Sequence, residues 1–159
     1  MWKRIYEPSP GFQEAYSTTK MCDEALTPLL KYLQDKKICC PCDSDESAIV
    51  KWLKENTNSE IINFCNRDIT KKTAQNIMKK CDIVITDPPF NEDGEIFIRF
   101  LKESDLDYIV FGKLDWEKEF GLDVYYLRKF IWEHRLYDGR PYNVVGHWYK
   151  CIKEEKKDE

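Results

Sequence analysis

Four consecutive residues, Asp87-Pro88-Pro89-Phe90, bring a carboxylate, two prolines and an aromatic ring together directly after the apolar run Asp82-Ile83-Val84-Ile85-Thr86. Two prolines fix two φ angles and remove two amide donors, so the backbone is stiff and its carbonyls can accept from a ligand. That combination suits an exocyclic amino group, which has two protons to donate. The Asp87 carboxylate takes one and the Pro88 carbonyl the other. The nitrogen lone pair is thereby drawn out of conjugation with its ring and aimed at an electrophile. The reaction would be an in-line displacement, in which orientation supplies most of the acceleration. Phe90 would stack on a planar base that has left a helix. The same residues also read as a strand ending at a turn, with Asp87 as its cap and Pro-Pro as punctuation.

The elements that must position this corner follow from apolar spacing. Met21 to Gln34 carries Cys22, Ala25, Leu26, Leu29, Leu30 and Leu33 at helical intervals. Pro28 either kinks this helix or restarts it, with Thr27 as the cap and Pro28 in the first turn. Ile38 to Cys42 reads as a strand, followed by the helix-start signal Asp43-Ser44-Asp45-Glu46 and a helix from Ser47 to about Asn56. Glu60 to Cys65 is a second strand, and residues 70–80 form a basic amphipathic helix. After Asp82–Thr86 come a helix with Ile96, Phe97, Phe100 and Leu101, and the strand Asp107–Phe111. A helix through Tyr125, Leu127, Phe130 and Ile131 is expected next, then one long or two short strands over 142–152. Residues 1–19 read as an extended arm with loops. The expected organisation is one domain over 1–152 with a charged, disordered tail at 153–159. Strands alternating with helices predict an α/β fold: a single Rossmann-like, doubly wound, mainly parallel sheet with helices on both faces. Ligands of such sheets lie beyond the carboxyl ends of strands, where strand order reverses. That rule selects Asp43 to Ser47, Asn66 to Asp68 and Asp87 to Phe90.

Composition narrows the partners. The 159 residues carry a net charge of −4, so nucleic acid would have to be met by a local basic patch or a partner rather than by overall charge. No apolar run reaches the roughly 20 residues of a membrane span, and the first residues lack the apolar core of a signal peptide. A cytoplasmic protein is expected. Seven cysteines, an odd number at irregular spacing, argue against a disulfide framework. Cys39-Cys40-Pro41-Cys42 has no second half-site, so no metal is expected, and these cysteines read as small buried residues of a strand.

The segment Cys81 to Phe90 resembles the catalytic motif of amino-group methyltransferases, in which Asp/Asn-Pro-Pro precedes Phe, Tyr or Trp. Ile38 to Leu53 is similar to the cofactor segment of the EcoRI-type adenine-specific methylases, where a strand ends in Pro-x-Asp and is followed by Ser and a helix. The resemblance covers roughly residues 17–112. It implies the class I methyltransferase fold in a minimal form, and S-adenosylmethionine as cofactor. Asp87, Pro88, Pro89 and Phe90 would be catalytic. Pro41, Cys42, Asp43 and Ser47 would border the methionine part of the cofactor, with Asp87 beside it. Asn66 and Asp68 would approach its ribose or adenine. Thr18 and Thr19 resemble the Thr-Pro that meets its carboxylate, although Thr19 occupies the proline position. The chain departs from most such enzymes in having no glycine between Gly11 and Gly94. Asp43 and Asp68 read equally well as helix caps or solvated turns.

Phe90, Asn91 and Lys113 are the candidate substrate contacts. Arg128, Arg135 and Arg140 could touch phosphates. Trp116, Trp132 and Trp148 could contact a base, although each suits a core. Lys71-Lys72 and Lys79-Lys80 make either a basic face or an ordinary solvated one. The leading expectation is methylation of adenine N6 in DNA, in the cytoplasm, by a compact enzyme of the kind a phage or mobile element carries. A homodimer or partner subunit would supply target recognition. The rivals are RNA, a nucleotide or a protein glutamine as substrate, or a degenerate methyltransferase fold serving as a binding or scaffold subunit.

Overall fold

The structure, a computed structural model, describes residues 16–17, 19–64, 68–125, 130–135 and 141–153. Its elements are β1 (Tyr16–Ser17), α1 (Thr19–Leu26), a 3-10 helix (Thr27–Leu33), β2 (Lys37–Cys40), α2 (Ala48–Asn56), β3 (Glu60–Asn63), α3 (Lys72–Lys79), β4 (Ile83–Thr86), α4 (Glu92–Glu103), β5 (Asp107–Gly112), α5 (Trp116–Phe120), β6 (Phe130–Arg135) and β7 (Pro141–Cys151).

The strands make one mixed sheet in the order β1-β6-β7-β5-β4-β2-β3. β3, β2, β4 and β5 are parallel neighbours, whereas β7 runs antiparallel to β5 and to β6. β2, β4 and β5 are largely apolar because both of their faces are covered, whereas β3, at the edge, is only half-buried. Ile38, Cys40, Ile83, Ile85, Ile109 and Phe111 pack with α1, the 3-10 helix and α2 on one face. Cys39, Val84, Tyr108 and Val110 pack with α3, α4 and α5 on the other. From β2 the chain crosses to β3 on one side, then returns over the opposite face to β4 on β2's other side. Strand order therefore reverses between β2 and β4, and their carboxyl ends flank the crevice where open α/β sheets take ligands.

Of the two readings of Pro28 the restart holds, with Pro28 in the first turn of a new helix, but Thr27 is not its cap. The chain passes straight into the 3-10 helix, whose N-cap position is Leu26 and makes no side-chain capping bond. Proline has no N–H for the α-helical ladder, and the tighter turn accommodates its ring while Leu29 and Leu33 stay buried. The helix expected through Tyr125, Leu127, Phe130 and Ile131 is not seen among the described residues, which leave out Leu127. Tyr125 donates its amide to the Trp148 carbonyl at 2.7 Å, Val124 bridges to Tyr149, and Phe130–Arg135 is a strand against β7. Long-range pairing with an 11-residue partner outweighs a few apolar residues at helical spacing. The last strand is one long element whose first half pairs β6 and whose second half pairs β5.

Lys153, expected in the frayed tail, is anchored: its amide donates to Asp107 Oδ1 at 3.1 Å and its Nζ lies 3.2 Å from the same oxygen. Residues 1–15 and 154–159, together with Thr18, Cys65, Asn66, Leu127, Arg128 and Arg140, lie outside the described residues. So do the side chains of Trp132 and Arg135. No helix among the described residues is long and apolar enough to cross a membrane.

Neighbouring positions on α4 test the layering. Phe97 is fully buried, whereas Ile96 is 37% exposed. Phe97→Ala is expected to cost about 3–5 kcal/mol in urea denaturation, and Ile96→Ala under about 1 kcal/mol.

Candidate functional site

The carboxyl ends of β2 and β4 bring Asp43 and Asp87 together. A turn closed by the Asp43 amide on the Cys40 carbonyl (3.2 Å) follows β2 and turns Asp43 inward, where it is 6% exposed. The buried hydroxyl of Thr86, the last residue of β4, donates to Asp43 Oδ2 at 2.5 Å and accepts the Cys42 amide at 3.0 Å. One hydroxyl thus ties the turn after β2 to the tip of β4. Burial pushes the Asp43 carboxyl well above its ordinary range, and the negative charge of Asp87 pushes the same way. Hydrogen bonds from Thr86, the Asp87 amide and Ser47 oppose the shift without cancelling it. Ser47 also caps α2, its Oγ accepting the Val50 amide at 3.2 Å. Asn63, closing β3, donates from Nδ2 to the Asp43 carbonyl at 3.4 Å.

Thiols complete the surroundings. Burial and then the charges of Asp87 and Asp43 raise the Cys22 thiol of α1, which brings that helix beside the carboxylates. Cys40 and Cys42 are raised by burial first and Asp43 next. These thiols stay neutral, as expected of small buried residues.

The corner after β4 is wedged against α4. Asp87 is half-buried with Oδ1 shielded from solvent; Pro88 and Pro89 are buried; Phe90 is 38% exposed. The Pro89 carbonyl lies directly on the Cα of Gly94, so closely that a Cβ there would sit 1.7 Å from the oxygen. Only glycine allows this approach. Asn91 caps α4, its Oδ1 accepting the Gly94 amide at 3.2 Å. The Phe90 ring meets Trp116 edge-to-face at 5.7 Å and Phe111 at 6.0 Å.

The remaining sequence candidates spread out. Pro41 and Cys42 are buried in the turn that carries Asp43. Asp68 follows β3 at the same end of the sheet. Burial opposes its ionisation, but bonds from the Thr70 hydroxyl (2.6 Å) and amide (2.9 Å) outweigh this and hold its carboxyl below the usual range. These bonds brace the turn that leads to α3. Thr19 is exposed at the start of α1, and Lys113 is half-buried after β5. Lys71, Lys72, Lys79 and Lys80 are exposed on α3, and Trp116 and Trp148 are core residues. A depression of about 390 Å³ lined by Lys79, Arg99, Phe100 and Ser104 lies toward the C-terminal ends of α3 and α4, away from this crevice.

No family model and no curated protein matches the sequence. Among solved structures, the crystal structure of Thermoplasma acidophilum 1320 is similar to this chain, with 14% identity, a TM-score of 0.43, and coverage of 82% of this chain and 88% of that one. Nothing about the site is carried over from so loose a likeness. Its chemistry is argued from the side chains alone.

Sequence reasoning missed Thr86, Asn63, Cys22, Phe111 and Tyr149. Thr86 and Asn63 did carry a signal, a polar residue closing an otherwise apolar strand. Cys22 and Tyr149 carried none, since their places depend on partners far away in the chain.

Asp43 ties the site to folding. Its raised carboxyl favours the native state below the unfolded-state value near 3.8, and that contribution is lost as pH rises through the folded value. Asp43→Asn is expected to melt a few degrees higher than the wild type near pH 8, with the gap closing toward pH 4, by calorimetry across pH. Gly94→Ala, which forces Pro89 and α4 apart, is expected to cost about 1–3 kcal/mol in denaturant titration.

Proposed function

We propose that this chain is an S-adenosylmethionine-dependent methyltransferase acting on an exocyclic amino group, with adenine N6 in DNA as the leading target and a minimal class I methyltransferase fold as its frame. The observation that carries this reading is the carboxylate pair at the strand-order reversal. Asp43 is buried, and the charge acting on it is a second carboxylate, Asp87. Such a crevice favours a cationic guest. It disfavours the pyrophosphate of a dinucleotide, which needs amide donors at a helix N-terminus. At this end of the sheet Ser47 and Asn91 each take one amide from the first turns of α2 and α4. S-adenosylmethionine carries an ammonium and a sulfonium, and when bound it supplies an electrophilic methyl group. Asp43, Ser47, Pro41 and Cys42 fit its methionine end, with Asn63 in the place of an acidic residue closing the second strand.

The corner supplies the grip on the acceptor. The Pro89 carbonyl is pressed against Gly94, and on this reading the Pro88 carbonyl and the Asp87 carboxylate take the two N–H groups of an amine. Asp87 accepts the proton that the nitrogen sheds after methyl transfer. Phe90, part-exposed and backed by Phe111 and Trp116, offers its face to a planar ring.

One observation favours a second substrate class. The residues after Phe90 include Glu92, Asp93 and Glu95, and Asp115 and Glu117 follow near Trp116. An acidic surround suits a protein glutamine or another amine without phosphates better than a polyanion.

Titration calorimetry with S-adenosylmethionine tests the cofactor, and a folded sample that shows no heat would defeat the enzyme reading in favour of a scaffold. Transfer of labelled methyl to DNA, RNA, nucleotides and proteins separates the substrates. Asp87→Ala is expected to fold normally and to lose about 100-fold or more in transfer rate.

A further inference from the structure

We infer that Tyr149, on the antiparallel strand β7, is a positioning residue that sets the ring of Phe90; the inference rests on the amine-methylating role proposed for that corner. Phe90 stands at the end of a stiff loop with over a third of its surface exposed, so the loop alone does not fix the plane of its ring. Its pose depends on the two rings behind it, Phe111 from β5 and Trp116 from α5. Trp116 is fully buried, and its six-membered ring fills the space over Gly112, where a Cβ would come within 2.3 Å of Cε3.

Trp116 is in turn held from β7. The Tyr149 hydroxyl donates to the Lys113 carbonyl at 2.5 Å, lies 3.3 Å from the Leu114 carbonyl and accepts the Glu117 amide at 3.1 Å. These contacts fasten both sides of the turn that carries Trp116. The Glu117 amide is one of the donors a helix start leaves without an intrahelical partner. Asp115, in the N-cap position, makes no side-chain bond to satisfy it. A phenol from another strand performs the cap instead. Tyr149 is fully buried, and burial raises its hydroxyl above the ordinary range, so it remains a donor at any workable pH. The chain of contacts runs from Tyr149 through the 113–117 turn and Trp116 to Phe90.

Tyr149→Phe removes the hydroxyl and keeps the ring, so the core packing of β7 is preserved. The first test needs no activity. With 4-fluorophenylalanine at position 90, Tyr149→Phe is expected to shift and broaden the fluorine resonance, while the dissociation constant for S-adenosylmethionine stays within about twofold. Trp116→Phe, acting one step along the chain, is expected to move the same resonance. A fluorine signal unchanged by Tyr149→Phe would overturn the inference whether or not the protein transfers methyl groups. The second test uses a single-stranded oligodeoxynucleotide containing adenine. Tyr149→Phe is expected to raise its KM about tenfold with little change in kcat, and to add nothing in a Phe90→Ala background. Equal losses in both backgrounds would mean general loosening and would also overturn it. If the wild type methylates no amine of any class, the functional proposal fails, and the fluorine experiment still decides the role of Tyr149.

Discussion

A carboxylate is kept in the interior of this protein by a hydroxyl from the adjacent strand, with a like charge beside it rather than an opposite one. Water would stabilise the charged form far better than the crevice does, so the rest of the fold must hold the arrangement in place. The turn after β2 cannot relax outward, because its Cys42 amide is bound to the same hydroxyl that holds the carboxylate. β4 cannot slide, because it is paired on both sides, to β2 and to β5. The two carboxylates meet only because the chain lays down β3 on one side of β2 and β4 on the other. Topology brings the two strand ends together, and Thr86 fastens the turn that carries Asp43.

The second half of the site is built from a different part of the chain. Asp87 and the prolines come from the tip of β4, but the aromatic wall behind Phe90 comes from β5 and α5, and its fastening from β7. The antiparallel strand matters here. It reaches the carboxyl end of β5 while running downward, pairing His147 with Gly112, and so places Tyr149 beneath the turn that follows β5. A fifth parallel strand would reach that turn with its last residues rather than its middle.

Much of this frame was legible in the amino-acid order. β2, β4 and β5 announce themselves because strands covered on both faces are mostly apolar; Asp87 follows β4 directly and Asp43 comes three residues after β2. Ser47 and Asn91 sit where helix starts call for an oxygen. The segment after Phe120 was not legible. Tyr125, Phe130 and Ile131 fit helical spacing, yet pairing with β7 decides their conformation, and nothing local encodes that partner. Asp68 was ambiguous because an aspartate after a strand can serve a ligand or a turn, and its bond from Thr70 lies in the turn. The bond between Thr86 and Asp43 spans 43 positions, and that from Tyr149 to Lys113 spans 36. Such contacts emerge only when the strands are laid side by side.

The contact between the Pro89 carbonyl and the Cα of Gly94 leaves no side chain between the corner and the first turn of α4. The prolines remove freedom from within the loop, and the helix removes it from outside, so the corner is finished before any guest arrives. Little entropy is then lost in ordering it. A receptor that cannot widen sorts its guests by how many hydrogens they present and how much room they occupy. On the methyltransferase reading proposed above, an amine already bearing one methyl would bring a single hydrogen and an extra carbon to a corner that cannot widen.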